Sequence, residues 1–170
     1  QHGDALEYAS LLKGDREVVQ AAVAQNWFLL EYASAELKGE REVVQAAVAR
    51  HGDALRCASG ELKGDREVIL AALEYGASLY YASAELRGDK EVVLAAVTED
   101  GDALLFASEE LQGNLEVVLT AATHDGYALQ YASAELRGDK EVMLTVVARN
   151  WKALACTSAE LRGDREVVMA

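Results

Sequence analysis

The sequence predicts an all-α fold, an α-solenoid of stacked short helix pairs with about 25 residues per repeat. Three observations predict it. A glycine recurs at positions 14, 39, 64, 88, 113, 138 and 163, at intervals of 25, 25, 24, 25, 25 and 25 residues. Between these glycines the apolar residues fall at helical spacing. Each apolar stretch is bounded by residues that start and stop helices.

One full unit, residues 88–112, reads GDKEVVLAAVTEDGDALLFASEELQ. Its first helix is expected to begin at the Asp after the glycine, as at Asp15, Asp65, Asp89 and Asp139. An Asp there can accept hydrogen bonds from free backbone N–H groups, and Glu17, Glu67 and Glu91 sit near the positive end of the helix dipole. Val92, Val93, Ala96 and Val97 then share one helical face. Val pairs also suit strands, but the Ala pairs and the spacing of three to four favour helix. The stretch stops at DG, HG or NW.

The second helix is expected to start near Asp102 and its equivalents, with Leu104, Ala107 and Leu111 forming its stripe. A Lys or Arg followed by glycine ends it, as at Lys38-Gly39 and Arg137-Gly138. Each unit thus reads as two helices of about ten residues, roughly 15 Å long each. Helices that short are marginal alone, so neighbouring pairs must share a core. The recurring Ala–Ser pairs, such as Ala107-Ser108, read as small residues that let helices approach, with Ser bonding its own i−4 carbonyl. A nucleophilic Ser needs a base and an oxyanion site, and no His accompanies these copies.

The array reads as one continuous domain, 1–170, with a partial repeat at 1–13, repeats at 14–38, 39–63, 64–87, 88–112, 113–137 and 138–162, and a partial repeat at 163–170. Proline is absent and no linker composition interrupts the chain. The stretch ending EVVMA leaves Val167, Val168 and Met169 without a second helix to cover them, so a longer array, or a partner at the uncapped ends, is expected.

The wording YASAELRGDKEVVLAAV at 81–97, nearly repeated as YASAELRGDKEVMLTVV at 131–147, resembles the repeats gathered as domain of unknown function 4116. The resemblance covers essentially the whole chain. It implies no assigned chemistry and supplies no catalytic or binding residues. Trp27 and Trp151 depart from the pattern by replacing the turn glycine, and the third unit is one residue short around Glu74 to Gly76.

Composition and charge exclude several classes of function. At 51% hydrophobic and 26% charged, the chain can bury a core. A net charge of −13 repels free nucleic acid and anionic membrane surfaces, while a partner with a basic patch is compatible. No apolar run is long enough to span a bilayer. His2, His51 and His124 are scattered, so no metal site is assigned. Cys57 and Cys156 lie about four repeats apart, beyond disulfide reach at roughly 9 Å per helix layer, and read as small apolar filler. Two unpaired thiols suit a reducing compartment, intracellular or an organellar lumen or stroma. No phosphate-binding loop is present, and paired acids such as Glu109 and Glu110 read as solvated charge. No catalytic residue and no cofactor are assigned, and no enzyme activity is expected. Glu36, Glu61, Glu85, Glu135 and Glu160, each near a helix C-terminus, are expected to form an ion pair with a Lys or Arg, for which the adjoining unit is one source.

What differs between copies points to function. The ELxGDxEVV turn hardly varies, whereas the opposite turn reads AQNWFLL, ARHGDAL, LEYGASL, TEDGDAL, THDGYAL and ARNWKAL. Repeat arrays commonly bind along one such edge. Residues 88–112 carry one Lys against seven acids, 1 − 7 = −6, whereas 138–162 carry four bases against three acids, 4 − 3 = +1. The candidate partner-binding residues are therefore Trp27, Phe28, Tyr75, Glu99, Asp100, Asp102, Tyr127, Trp151 and Lys152. For the aromatic ones, folding back to cover gaps in the turns is an equal alternative. The function expected is a non-catalytic scaffold for protein–protein interaction, such as an accessory or linker subunit of a larger assembly. The alternatives are a targeting or regulatory arm of a multidomain enzyme or effector, and a solenoid that binds a small molecule in its concave groove.

Overall fold

The computed structural model describes residues 15–170, in which all regular structure is helical. The partial repeat at 1–13, with His2, and the first glycine, Gly14, lie outside them. The chain divides into two compact units, Gln1–Ser83 and Ala84–Ala170.

The Asp-x-Glu-Val-Val stretch and its variants, such as EREVV at 40–44 and NLEVV at 114–118, make the long helix of each repeat. In the first unit these are α1 (Arg16–Gln25), α2 (Arg41–Val48) and α3 (Arg66–Glu74). In the second they are α4 (Lys90–Glu99), α5 (Leu115–His124), α6 (Lys140–Arg149) and the short α7 (Arg165–Met169). The Asp side chain caps as expected: Asp65 Oδ1 accepts from the N–H groups of Glu67 and Val68 at 3.0 and 3.2 Å. Asn114 keeps the cap without the charge, accepting from Val117 at 3.3 Å. Glu40, one methylene longer, makes no such bond, and α2 is the shortest of α1–α6. The apolar face of each helix is buried, as with Val92, Val93, Ala96 and Val97.

The second stretch is not one helix. It is a 3₁₀ helix, two extended residues and a short helical turn. Gly101–Phe106 is the 3₁₀ segment, Ala107 and Ser108 follow at ψ 158° and 154°, and Glu109–Gln112 closes the repeat. The same sequence of shapes recurs at Gly52–Cys57 with Gly60–Lys63, and at Trp151–Cys156 with Ala159–Arg162. Serine causes the break. Its hydroxyl accepts from the N–H three residues on, as Ser108 does from Leu111 at 3.4 Å, and so starts a new turn instead of back-bonding within an old one. The expected apolar stripe survives, because 3₁₀ periodicity keeps Leu104 and Ala107 on one side and the new turn returns Leu111 to it; all three are buried.

Successive repeats are stitched by backbone. Ser59 N–H donates to the Lys38 carbonyl at 2.9 Å and Ser83 to Lys63 at 2.8 Å; in the second unit Ser108 donates to Arg87, Ser133 to Gln112 and Ser158 to Arg137 at 2.9, 2.9 and 3.0 Å. The recurring glycine packs beside this serine: a Cβ on Gly113 would lie 3.8 Å from Ser133 Oγ, and one on Gly39 would lie 3.7 Å from Ser59 Oγ, both at ordinary contact distance.

A second tie is ionic. Arg16 pairs with Glu40 and Glu42 at 3.0 and 2.8 Å, and Arg41 with Asp65 and with Glu67. Lys90 pairs with Glu116 at 2.6 Å, and Lys140 with Asp164 and Glu166 at 2.8 and 2.7 Å. The cation after one turn glycine thus holds the acids after the next. Glu36, Glu61, Glu85, Glu135 and Glu160 do not carry the ion pairing expected of them. They are exposed, and none takes part in an ion pair among the described residues.

The short third repeat closes differently. Gly76 adopts φ 79°, its N–H donates to Leu73 and the Ala77 N–H donates to Ala72 at 2.9 Å, a Schellman closure. At the end of the described chain Val167 is buried against α6, whereas Val168 and Met169 are exposed.

Candidate functional site

The variable turns follow the long helices, and one local rule builds them. The residue before the 3₁₀ segment is extended and caps it. Asn26, His51, Asp100, Asp125 and Asn150 each accept the N–H two residues on, at 3.0 to 3.3 Å. The next position is glycine in Gly52, Gly101 and Gly126, where a Cβ would lie within 2.8 Å of atoms of the following repeat. The position after that points outward and is exposed at Phe28, Asp102, Tyr127 and Lys152. Within each unit these positions are displayed outward from capped turns.

In the first unit the row carries an aromatic cluster. The Trp27 indole stacks on the His51 ring with centroids 4.9 Å apart and meets Phe28 edge-on at 5.8 Å. The Arg56 guanidinium lies 5.8 and 5.3 Å from these two rings and pairs with Glu31 at 2.8 Å. Trp27 is half-buried against the next turn, while Phe28 and Tyr75 are exposed. The sequence did not single out His51, Glu31 or Arg56 for this cluster. His51 and Arg56 lie about a full repeat from Trp27, a separation no local pattern reveals, and Glu31, though near in sequence, joins the cluster only through Arg56.

In the second unit the row changes sign along its length. Glu99, Asp100 and Asp102 are exposed. Packing around the Asp102 carboxyl, then repulsion from Asp100 and Asp125, pushes it above the usual carboxylate range. Lys152 lies 5.8 Å over the Tyr127 ring, and Trp151 is 74% exposed. These three line an open hollow of about 340 Å³ with Leu154, Ala155 and Arg162. Cys156 beneath donates its thiol to the Tyr127 carbonyl at 3.7 Å, and burial pushes that thiol up, away from nucleophilic use. Among the described residues no group of His, Cys, Asp or Glu converges as metal ligands, and no helix is long and apolar enough to cross a membrane.

A family model described as a domain of unknown function (DUF4116) matches residues 1–38, 40–87 and 89–137. The chain belongs to the DUF4116 family. The later DUF4116 matches, 40–87 and 89–137, each span two of the repeats, so the family unit is a repeat pair. Residues 138–170 lie outside the matches yet keep the DUF4116 construction, with Ser158 stitched to Arg137 and Lys140 paired to Asp164. No curated protein and no solved structure matches the chain.

Proposed function

We propose that the repeats stack as an α-solenoid and serve as a non-catalytic scaffold that binds protein partners along the variable turn edge. The observation that carries this reading is the contrast between the two sides of each repeat. The glycine–serine side is occupied by stitches, caps and ion pairs, whereas the turn side holds Phe28, Tyr75, Tyr127, Trp151 and Lys152 exposed on capped turns. Exposed aromatic residues beside cations are the side chains that most often anchor protein interfaces. The chain's acidity argues for partners with basic surface and against nucleic acid.

Affinity enrichment on the tagged chain tests it, comparing wild type with a Tyr127→Ser/Trp151→Gly/Lys152→Glu variant of equal thermal stability. The expected result is loss of the specific partner set in the variant. An identical set from both proteins overturns the edge as the contact surface.

A further inference from the structure

In the second unit the ion-pair ladder is interrupted at Leu115, and an open groove lies there. After the turn glycine, Arg16, Arg41, Lys90 and Lys140 each hold acids of the following repeat. At Gly113 the corresponding residue is Leu115, which is 45% exposed. The acids it would serve are Asp139 and Glu141, the counterparts of Asp65 and Glu67 beneath Arg41. Both are exposed and pair with no cation among the described residues. Leu115 and Leu119 floor a groove of about 650 Å³ that runs along α5 between Lys90 and Glu116 at one end and His124 and Arg149 at the other. Thr120 and Thr123 line it with their hydroxyls already donated to Glu116 and Leu119 carbonyls at 2.9 and 2.7 Å, so the floor offers methyl groups and aliphatic carbon.

The geometry points to an interaction surface: the groove docks an amphipathic helical segment of another protein, with a basic residue at one end, aliphatic side chains in the middle and an acidic residue at the other. The protein itself shows how the basic end is held, because Arg41 lies across the equivalent pair of carboxylates. The middle covers Leu115, which is exposed, and Leu119, which is half-buried. The acidic end meets Arg149 and His124, about 14 Å along α5 from Leu115 at 1.5 Å rise per residue. Helix-in-groove recognition works through such spaced anchors, with charge fixing the direction. This surface is the flank of the long helices, and the inference does not rest on the role of the turn edge.

Fluorescence anisotropy tests it with a labelled helical peptide on an alanine–glutamine background, carrying arginine near one end, leucines in the middle and glutamate near the other. Saturable binding is expected, weakened at least about tenfold by Leu115→Arg, which supplies the rung internally, and by Asp139→Asn/Glu141→Gln. Leu115→Arg is also expected to melt no lower than wild type, so its loss of binding is not loss of fold. The Glu99→Gln/Asp102→Asn control removes as much negative charge elsewhere and should leave affinity unchanged. The inference is overturned if the peptide fails to saturate below about 1 mM, if Leu115→Arg binds as wild type does, or if the control loses as much as the groove variants. Self-association that Leu115→Arg abolishes overturns it in favour of a second copy of this chain.

Discussion

The backbone N–H of Ser133 donates to the Gln112 carbonyl at 2.9 Å while its hydroxyl accepts from the Leu136 N–H at 3.3 Å. One residue thus closes the previous repeat and opens the last turn of its own. The two bonds can be separated by substitution. Ser133→Ala removes only the cap and should cost about 1 kcal/mol. Ser133→Pro also removes the N–H, and proline fits the native φ of −57°. It should therefore unfold on the order of 1 kcal/mol below the alanine variant, because the Gln112 carbonyl loses its partner and proline's gain in the unfolded chain offsets only part. Urea unfolding of the three proteins measures both steps.

Glycines that look alike in sequence should respond in opposite ways. A Cβ on Gly126 would lie 2.6 Å from the Ala153 nitrogen and 2.8 Å from Asn150 Oδ1, so Gly126→Ala should cost more than about 2 kcal/mol. Nothing lies within 4 Å of a Cβ on Gly138, so Gly138→Ala should be neutral or stabilise by up to about 1 kcal/mol. Thermal melting of the pair decides.

Acid titration should show two opposite contributions. Hydrogen bonding to Arg41 holds the Asp65 carboxyl below the usual carboxylate range, and Lys140 does the same for Asp164. Their stabilisation is present above the unfolded carboxylate value, about pH 4, and is lost as pH falls through the lower folded value. Asp102 has the reverse sign: its folded value is raised, so its ionised form opposes folding. Asp102→Asn should stabilise at pH 7, and that gain should vanish as pH falls below the carboxylate range. Asp65→Asn should destabilise at pH 7 and converge with wild type near about pH 2. Unfolding curves across pH check both signs.

Leu129 is fully buried in the fifth repeat, and Leu129→Ala should cost about 2–5 kcal/mol in urea unfolding. If stability is shared between neighbours, hydrogen exchange should accelerate most within residues 113–137 and next in the repeats flanking it. Uniform acceleration across residues 84–170 would contradict that sharing.

The long helices were legible because three signals coincide at most of them: an Asp cap, which only Glu40 and Asn114 replace, a Glu in the first turn, and Val-led apolar pairs whose spacing a helix places on one face. The second stretch was not. Ser108 precedes Glu109 and Glu110, so a new N-terminus is written there, but Leu104, Ala107 and Leu111 keep a helix-like interval across it. No proline or glycine marks the extended Ala107-Ser108 step, and periodicity alone ran through the break. The ladder stayed hidden for a different reason. Its partners, such as Arg41 and Asp65, are 24 residues apart, so no local pattern joins them. The edge residues were found from their variation, yet which of them project needed coordinates: Trp27 lies against His51, whereas Trp151 stands clear. Leu115 was visible throughout, as GNLE among copies of GD(R/K)E, and acquired meaning only once the other copies proved to be rungs.

The Gly76 closure has an engineering corollary. By dropping one residue and turning left-handed for a single step, the third repeat rejoins the common frame at Leu79 with its core positions in phase. Length change is thereby confined to the span between α3 and Ser78. The same span is pinned, since the Tyr75 carbonyl accepts from the Gly52 N–H at 2.9 Å and Ala77 is buried, so a longer loop fits there only where it preserves both.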